Sequence, residues 1–160
     1  MSKKAASRRH APISQPADRL LDVTVVLLER GYVSTAIAPV EIFHSAGVVW
    51  NWLHGETETP RFRVRTVSVD GRKVRAAGSF TLTPDCAITE IKHTDIILVA
   101  APGWDELERI AKSTLLVPWL RKWHARGAFI AAACTGVAYL AEAGLLDGHQ
   151  ATTHWGVADI

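Results

Sequence analysis

Cysteine is scarce in this sequence, and long apolar runs are absent. The 160 residues contain two cysteines, Cys86 and Cys134. A disulfide-stabilised scaffold needs more cysteines in a shorter chain, so we expect reduced thiols in a cytoplasmic protein. No apolar stretch approaches the roughly 20 residues that a membrane-spanning helix requires, and we therefore expect no membrane segment. The seven histidines show no metal-ligand spacing, and we predict neither a metal nor a cofactor.

An excess of charge of one sign is also missing. The formal net charge is +2, charged residues make up 21% of the chain and hydrophobic residues 48%. These values are typical of a globular protein and not of a disordered chain or a nucleic-acid-binding surface. The first twenty residues are rich in Lys, Arg, Ser, Ala and Pro and lack the apolar core of a secretory signal. We therefore predict a disordered basic tail over residues 1–20 and one α/β domain over residues 21–160.

Apolar strands alternate with helical segments along this domain. Three apolar runs predict strands buried on both faces, at residues 22–29, 95–100 and 128–132, and an alternating run at residues 62–69 predicts a strand nearer an edge. Helices are predicted over residues 35–44, 85–92, 115–126 and 137–143, with Asp105 as the N-cap of a further helix. This order indicates a mainly parallel sheet with helices on both faces.

Cys134 lies in the segment with the clearest chemical signal. An apolar strand passes into a predicted helix through this nucleophilic residue, with Ala132 two positions before it and Gly136 two positions after it. Small residues at these offsets are typical of a tight nucleophile elbow. A cysteine there stands at the carboxyl edge of the sheet and at a helix N-terminus, which favours the thiolate. The alternative is a buried structural cysteine, which is our interpretation of Cys86.

Three segments resemble a known family. They are Ala-Ala-Cys-Thr-Gly at residues 132–136, Leu-Ala-Glu-Ala-Gly-Leu-Leu-Asp-Gly at residues 140–148 and Ala-Thr-Thr-His-Trp at residues 151–155. This pattern is similar to the PfpI/ThiJ superfamily, whose fold is similar to that of class I glutamine amidotransferases. More narrowly, it resembles the N-terminal domain of GlxA-type transcriptional regulators of the AraC family. The resemblance, which runs from Asp22 to the end, implies a flavodoxin-like α/β domain that precedes a helix-turn-helix domain.

The resemblance also implies a site around Cys134. By position, Cys134 corresponds to the elbow cysteine of the superfamily and His154 to a histidine that orients the thiol or acts as a base. The alternative for His154 is an ordinary polar residue at a strand end. The ligand-binding residues implied in the same way are Thr35, Gly103, Trp104, Thr135 and Gly136. The N–H groups of Gly103 and Thr135 are candidates for an anion or oxyanion pocket that Trp104 narrows.

Departures from the family pattern favour sensing over catalysis. Thr35 stands where many relatives carry a glutamate that hydrogen-bonds the cysteine, and Glu41 lies nearly two helical turns further on. Gly156 stands where an amidotransferase-like triad has an acid. Catalysis needs a nucleophile with a positioned base. The first hypothesis is therefore a ligand-sensing and dimerising domain of an AraC-type regulator, with a small nitrogenous or amide-like ligand.

Two other hypotheses stay open. One is a cysteine-dependent hydrolase, hydratase or amidase of the PfpI type, and the other is a redox sensor in which Cys134 is oxidised. The aromatic stretch around Trp50 and Trp52 predicts a homodimer. The sequence stops at Ile160, where the family continues, so we expect a truncated domain that contacts DNA only through an absent C-terminal domain.

Overall fold

Seven strands and five helices make up the part of the chain that a computed structural model describes, residues 19–107, 110 and 113–158. The strands are β1 (Leu21–Val26), β2 (Phe62–Ser68), β3 (Val74–Arg75), β4 (Thr81–Leu82), β5 (Cys86–Ala87), β6 (Ile96–Val99) and β7 (Phe129–Ala132). The helices are α1 (Val33–Ser45), α2 (Val49–Leu53), α3 (Trp104–Leu107), α4 (Leu116–Ala125) and α5 (Val137–Glu142). None of the helices described is both long enough and apolar enough to cross a bilayer.

Five parallel strands form the central sheet in the order β5-β2-β1-β6-β7. Every residue of β1 is buried, which explains why this strand is apolar almost throughout. The chain adds strands on one side of β1 first and on the other side afterwards, so the strand order reverses between β1 and β6. Ligands of open α/β sheets bind outside the carboxyl ends of the strands at such a reversal. The predicted flavodoxin-like fold with a mainly parallel sheet is confirmed.

The two faces of the sheet carry separate cores. On one face, α4 and α5 pack on β1, β2, β6 and β7, and the large buried side chains include Leu116, Leu120 and Trp123. On the other face, α1 and the antiparallel β3–β4 hairpin cover β1 and β2. This second face is less well covered at the sheet edge, where Phe129 of β7 is 46% exposed. Helices therefore lie on both faces, as predicted.

Two carboxylates tie the strands together at the amino end of the sheet. The Asp22 carboxylate accepts hydrogen bonds from the Arg63 guanidinium on β2 at 2.5 and 2.8 Å, and the Asp95 carboxylate accepts from Arg19 at 2.7 and 3.0 Å. The Asp22 N–H also donates to Asp95, at 2.8 Å. Burial alone would raise the pKa of Asp95, but these hydrogen bonds outweigh it and hold the pKa below its usual value. These hydrogen bonds fix the strands at the amino end of the sheet, opposite the carboxyl edge.

Three predicted elements differ from the structure. The helix predicted over residues 85–92 is wrong, because Cys86 and Ala87 extend the sheet beside β2 and only one 3₁₀ turn, Ile88–Glu90, follows. Asp105 is not an N-cap, since α3 begins one residue earlier and the Asp105 carboxylate binds Arg30 instead. The strand at residues 128–132 is not buried on both faces, because β7 is an edge strand of the sheet described.

Candidate functional site

Cys134 begins a tight elbow between β7 and α5. It is half-buried, has a φ of 52°, and opens the 3₁₀ turn Cys134–Gly136 that leads into α5. A positive φ is uncommon for a residue other than glycine and stores strain. A Cβ on Gly136 would lie 2.7 Å from the carbonyl oxygens of both Val99 and Ala100, so only glycine fits this position. The predicted elbow is present.

The loops after β1 and β6 are packed against each other beside the elbow. The Gly103 N–H donates to the Glu29 carbonyl at 2.9 Å, and a Cβ on Gly103 would lie 2.5 Å from the Cβ of Arg30. Gly103 therefore serves the close approach of two backbones. Its N–H is bound to that carbonyl in this structure, and a ligand-binding role for Gly103 stays a prediction.

Two threonine hydroxyls hold the same loops in place. Thr35 on α1 donates to the Tyr32 carbonyl at 2.7 Å and accepts from the Ala101 N–H at 3.1 Å. Thr135, which is 2% exposed, donates to the Pro102 carbonyl at 3.3 Å. Both hydroxyls thus bind the loop after β6. A ligand-binding role for Thr35, Thr135 and Gly136 stays a prediction.

His154 lies between two tryptophans near the elbow. Its ring packs edge-on against Trp104 with ring centroids 5.1 Å apart and lies 5.2 Å from the ring of Trp155. Its Nδ1 accepts the Gly156 N–H at 3.0 Å, which caps the 3₁₀ turn Trp155–Val157. The neighbouring Thr153 hydroxyl donates to the Cys134 carbonyl at 3.3 Å. The structure therefore brings Cys134, Trp104 and the residues around His154 into one region.

A cavity of about 510 Å³ opens at the carboxyl ends of β1 and β6. It is lined by Glu29, Arg30 and Tyr32 after β1, by residues 75–78 of the hairpin and by residues 103–105. We call it the charged cavity, because Arg30, Arg75, Glu29 and Asp105 all line it and Arg30 is paired with Asp105. Its volume lies in the range of small-molecule sites. Of the residues implied by the sequence, Gly103 and Trp104 line it and Cys134 does not.

A second cavity, of about 440 Å³, lies against α5. Its walls come from α5, from residues 151–153 and from residues 157–158, and they are mostly apolar, with Val137, Ala138 and Val157 among them. Thr153, which binds the Cys134 carbonyl, also lines it. We call it the apolar cavity. Cys134 lines neither cavity.

Several of the cavity residues were not predicted from the sequence. Tyr32 and Arg75 carry no motif, and Arg75 reaches the cavity only because the β3–β4 hairpin folds over the loop after β1. That contact is made by the Arg30 N–H, which donates to the Arg75 carbonyl at 2.6 Å, and by the Ala77 N–H, which donates to Gly31 at 2.9 Å. The sequence offered one signal for Arg30. It is a charged residue, it is followed by glycine, and the pair comes directly after a buried strand.

Within the described residues, Asp22, His93 and Asp95 form the group whose donor atoms lie close enough together to hold a metal ion. The His93 Nε2 is 3.3 Å from Asp95 and 3.9 Å from Asp22. Both carboxylates, however, already bind arginine guanidinium groups through two hydrogen bonds each. A divalent cation would have to displace those arginines or lie beside their positive charge, so the residues present do not fit a metal.

The DJ-1/PfpI family pattern matches residues 24–160. Among curated proteins, the helix-turn-helix-type transcriptional regulator CdhR of Pseudomonas aeruginosa is 38% identical over 98 residues, which are 61% of this chain and 28% of that protein. The isonitrile hydratase of Pseudomonas putida is 29% identical over 101 residues, which are 63% of this chain and 43% of the enzyme. The chain thus spans less than half the length of either relative.

Solved structures share the fold over most of the chain. A putative transcriptional regulator from Vibrio parahaemolyticus superimposes with a TM-score of 0.72 and 26% identity, covering 88% of this chain and 70% of that one. An AraC family transcriptional regulator from Pseudomonas putida superimposes with a TM-score of 0.62 and 20% identity, covering 86% of this chain and 69% of that one.

Proposed function

Since this chain belongs to the DJ-1/PfpI family, we propose that it is the ligand-sensing and dimerising domain of an AraC-type transcriptional regulator that works in the cytoplasm. Two observations support the regulator class: the similarity to CdhR and the shared fold with an AraC family regulator. In this proposal, DNA binding belongs to a separate domain of a longer protein. The segment described here recognises a small molecule and passes the signal on.

The engagement of Thr35 is the single observation that favours sensing over catalysis. This residue stands where a glutamate in related enzymes contacts the elbow cysteine. Its hydroxyl is bound on both sides, to Tyr32 and Ala101, and a hydroxyl is in any case a far weaker base than a carboxylate. Thr35 therefore does not supply Cys134 with the positioned acid–base partner that general acid–base catalysis needs. The elbow and the loops around it remain as a rigid frame for a ligand.

The ligand of this proposal occupies the charged cavity. It lies at the strand-order reversal between β1 and β6, where ligands of such sheets bind, and it combines charged groups with two partly exposed aromatic rings, Tyr32 and Trp104. Arg75 offers hydrogen-bond donors and Glu29 offers hydrogen-bond acceptors, and the two residues lie on different loops of the cavity. A small nitrogenous or amide-like metabolite presents both kinds of group, and this is the ligand class that we propose.

A thermal-shift screen of small nitrogenous and amide-containing metabolites tests this proposal. A ligand at about 100 times its Kd stabilises the folded state by about 2.7 kcal/mol, which corresponds to a rise in Tm of roughly 5–10 °C for a domain of this size. Hits are then measured by calorimetry on the unmodified chain and on two variants. Arg75→Gln removes a charge from the cavity, and Arg65→Gln makes the same change at an exposed position on β2.

We expect Arg75→Gln to weaken binding by about tenfold or more, as loss of a charged hydrogen-bond donor does, and Arg65→Gln to leave it unchanged. Equal affinities of all three proteins would show that the ligand binds outside the charged cavity. A screen of this class without any hit would contradict the ligand class itself.

The second candidate is a cysteine-dependent enzyme, which the similarity to isonitrile hydratase favours. It predicts turnover of amide, peptide or isonitrile substrates that disappears in Cys134→Ser. We expect no such turnover, because neither Thr35 nor Gly156 supplies the carboxylate that would orient a base. Cysteine-dependent turnover in this assay would replace the sensing proposal with the enzyme.

A further inference from the structure

The His154 side chain has a defined hydrogen-bonding state. Its Nδ1 accepts the Gly156 N–H at 3.0 Å, and an accepting ring nitrogen carries a lone pair instead of a proton. The neutral ring must then carry its proton on Nε2. In this form Nε2 is a donor and Nδ1 is already used, so neither nitrogen is free to take a proton from Cys134.

The same ring connects the charged cavity to the end of the described chain. Trp104 lines the cavity and packs against the His154 ring in a T-shaped arrangement. A Cβ placed on Gly156 would lie 3.1 Å from Cη2 of Trp104, so the Trp104 ring also lies against the backbone of the capped turn. That turn contains Val157, which is buried and lines the apolar cavity. Trp104, His154 and Gly156 thus form one contiguous contact between two cavities.

We propose that His154 is a positioning residue and not the base of Cys134: in its Nε2–H form it caps the Trp155–Val157 turn and couples that turn to Trp104 on the charged cavity. Occupation of the cavity displaces the Trp104 ring and releases its contact with His154 and Gly156. The change thereby reaches the Trp155–Val157 turn. The coupling rests on the proposed ligand cavity, whereas the tautomer and the cap do not.

Two substitutions separate the cap from the imidazole ring. The side-chain oxygen of asparagine can take the place of Nδ1, and asparagine is a good N-cap residue, so His154→Asn keeps the acceptor and removes the ring. His154→Ala removes both. We expect hydrogen exchange of the Gly156 amide to accelerate by about threefold to tenfold in His154→Ala, as for loss of one hydrogen bond, and to recover in His154→Asn. Equal exchange rates in both variants would overturn the capping role.

Nitrogen-15 NMR of histidine-labelled protein reads the tautomer directly. At about pH 8 we expect His154 to show a protonated Nε2 and an unprotonated Nδ1, with the resonance assigned by its loss in His154→Asn. A proton on Nδ1 would overturn the assignment. The alkylation rate of Cys134 is measured in the same proteins. We expect it to change less than about twofold, and a common large decrease in both variants would mean that His154 acts on the thiol.

Trp104→Ala tests the coupling without any ligand. We expect it to shift the amide resonances of Gly156 and Val157, whereas Trp52→Ala, which removes an exposed tryptophan on α2, leaves them unchanged. No shift in Trp104→Ala would overturn the coupling. If the metabolite screen fails while the tautomer, the cap and the Trp104 effect are found, the proposed function falls and the role of His154 stands. If the screen finds a ligand while the tautomer, the cap and the Trp104 effect are not found, only the proposed role of His154 falls.

Discussion

Cys134 occupies a backbone conformation that most residues avoid. A residue other than glycine at a φ of 52° stores roughly 1–3 kcal/mol of strain, which the surrounding structure must hold in place. The Thr153 hydroxyl and the packing of Gly136 on the carbonyls of Val99 and Ala100 supply that support. Glycine at position 134 would adopt this conformation without that strain. A functional role for the thiol stays a prediction.

We predict that Cys134 reacts with an alkylating agent faster than Cys86. Burial raises the pKa of the Cys86 thiol, and the nearby Glu90 carboxylate raises it further, so little thiolate is present there at neutral pH. Mass spectrometry after brief iodoacetamide treatment at about pH 7.5 should find Cys134 labelled first. The same protein in denaturant is the control, because both thiols are then exposed. Faster labelling of Cys86 in the folded protein would contradict the prediction.

We predict that Asp95 contributes stability that is lost in acid. Its pKa is lowered in the folded state, so its contribution is present above the unfolded value of about 3.9 and disappears as the pH falls through the folded value. Asp95→Asn should therefore lose about 1.5–3 kcal/mol of unfolding free energy at pH 7, the worth of hydrogen bonds to a charged group. Urea unfolding at pH 7 and at about pH 3 measures it.

The control for this prediction is Asp70→Asn, an exposed carboxylate 3.6 Å from Arg72. A surface ion pair of this kind contributes little to stability, so Asp70→Asn should lower the unfolding free energy only slightly at both pH values. An Asp95→Asn deficit that stays constant between pH 7 and pH 3 would show that charge is not its cause.

At the scale of the elements, three loops build the charged cavity. The loop after β1 and the loop after β6 lie side by side because their strands are neighbours in the sheet. The β3–β4 hairpin binds the loop after β1 through the Arg30 N–H, which donates to the Arg75 carbonyl, and the Ala77 N–H, which donates to the Gly31 carbonyl. The hairpin has strands of only two residues each, and a hairpin this small is not stable alone. It therefore depends on the contacts that close the cavity, and a ligand there would stabilise it.

We predict that α4 does not read DNA, although it carries the most basic sequence of the described helices. Leu116, Leu120 and Trp123 bury one side of it. On the other side, the Arg121 guanidinium donates to the carbonyls of Glu142 and Ala143, at 2.7 and 3.0 Å. Selective DNA binding needs several side chains free to reach base edges. In vitro selection from a random duplex pool should therefore enrich no motif with this chain.

The comparison for this experiment is the longer regulator of the proposed function, which should enrich a motif. Any binding by residues 1–160 should weaken steeply with added salt, since only phosphate contacts are involved. Enrichment of one sequence by the chain itself would contradict the proposed division of labour between sensing and DNA-binding domains.

For the whole molecule, the most conspicuous surface is the apolar side of α1 and α2. Ile42, Trp50 and Leu53 are 67%, 64% and 64% exposed, and with Val49 they line a shallow apolar groove. Exposed apolar patches on soluble domains mark interfaces, and a patch on one side of a domain pairs with itself through a two-fold axis. We therefore propose this surface as the interface of the homodimer.

We predict that Leu53→Glu converts a dimer into a monomer. A charge placed in an apolar interface removes about 2 kcal/mol or more, as for a central interface residue, and so weakens dimerisation by roughly thirtyfold. Sedimentation at several concentrations measures it. Phe80→Glu changes a residue of similar exposure, 63%, on the hairpin and should leave the dimer intact. An unmodified chain that stays monomeric at high concentration would contradict the homodimer.

The elbow and the order of the main strands and helices were predictable from the sequence because their signals are local. Burial on both faces makes β1 and β6 apolar along their length, and the steric limits of the turn act on residues within two positions of Cys134. The signal weakens where strands are short. Cys86 and Ala87 pair with β2 for only two residues, too few to show a period, and the segment resembled a helix instead.

The tertiary structure alone decided the remainder of the site. Arg30 and Arg75 line one cavity although 45 positions separate them, and Trp104 meets His154 across 50 positions. Such contacts depend on the path of the chain between strands, which no local pattern reports. The hydrogen bond from the Gly103 N–H to the Glu29 carbonyl has the same origin, whereas the bond from the Gly156 N–H to His154 is local and needs the structure only for its geometry. The sequence thus determined which residue types stand at the carboxyl edge of the sheet, and the packing of the loops determined which of their polar groups are free, because each N–H or hydroxyl bound to a neighbouring loop is no longer available to a ligand.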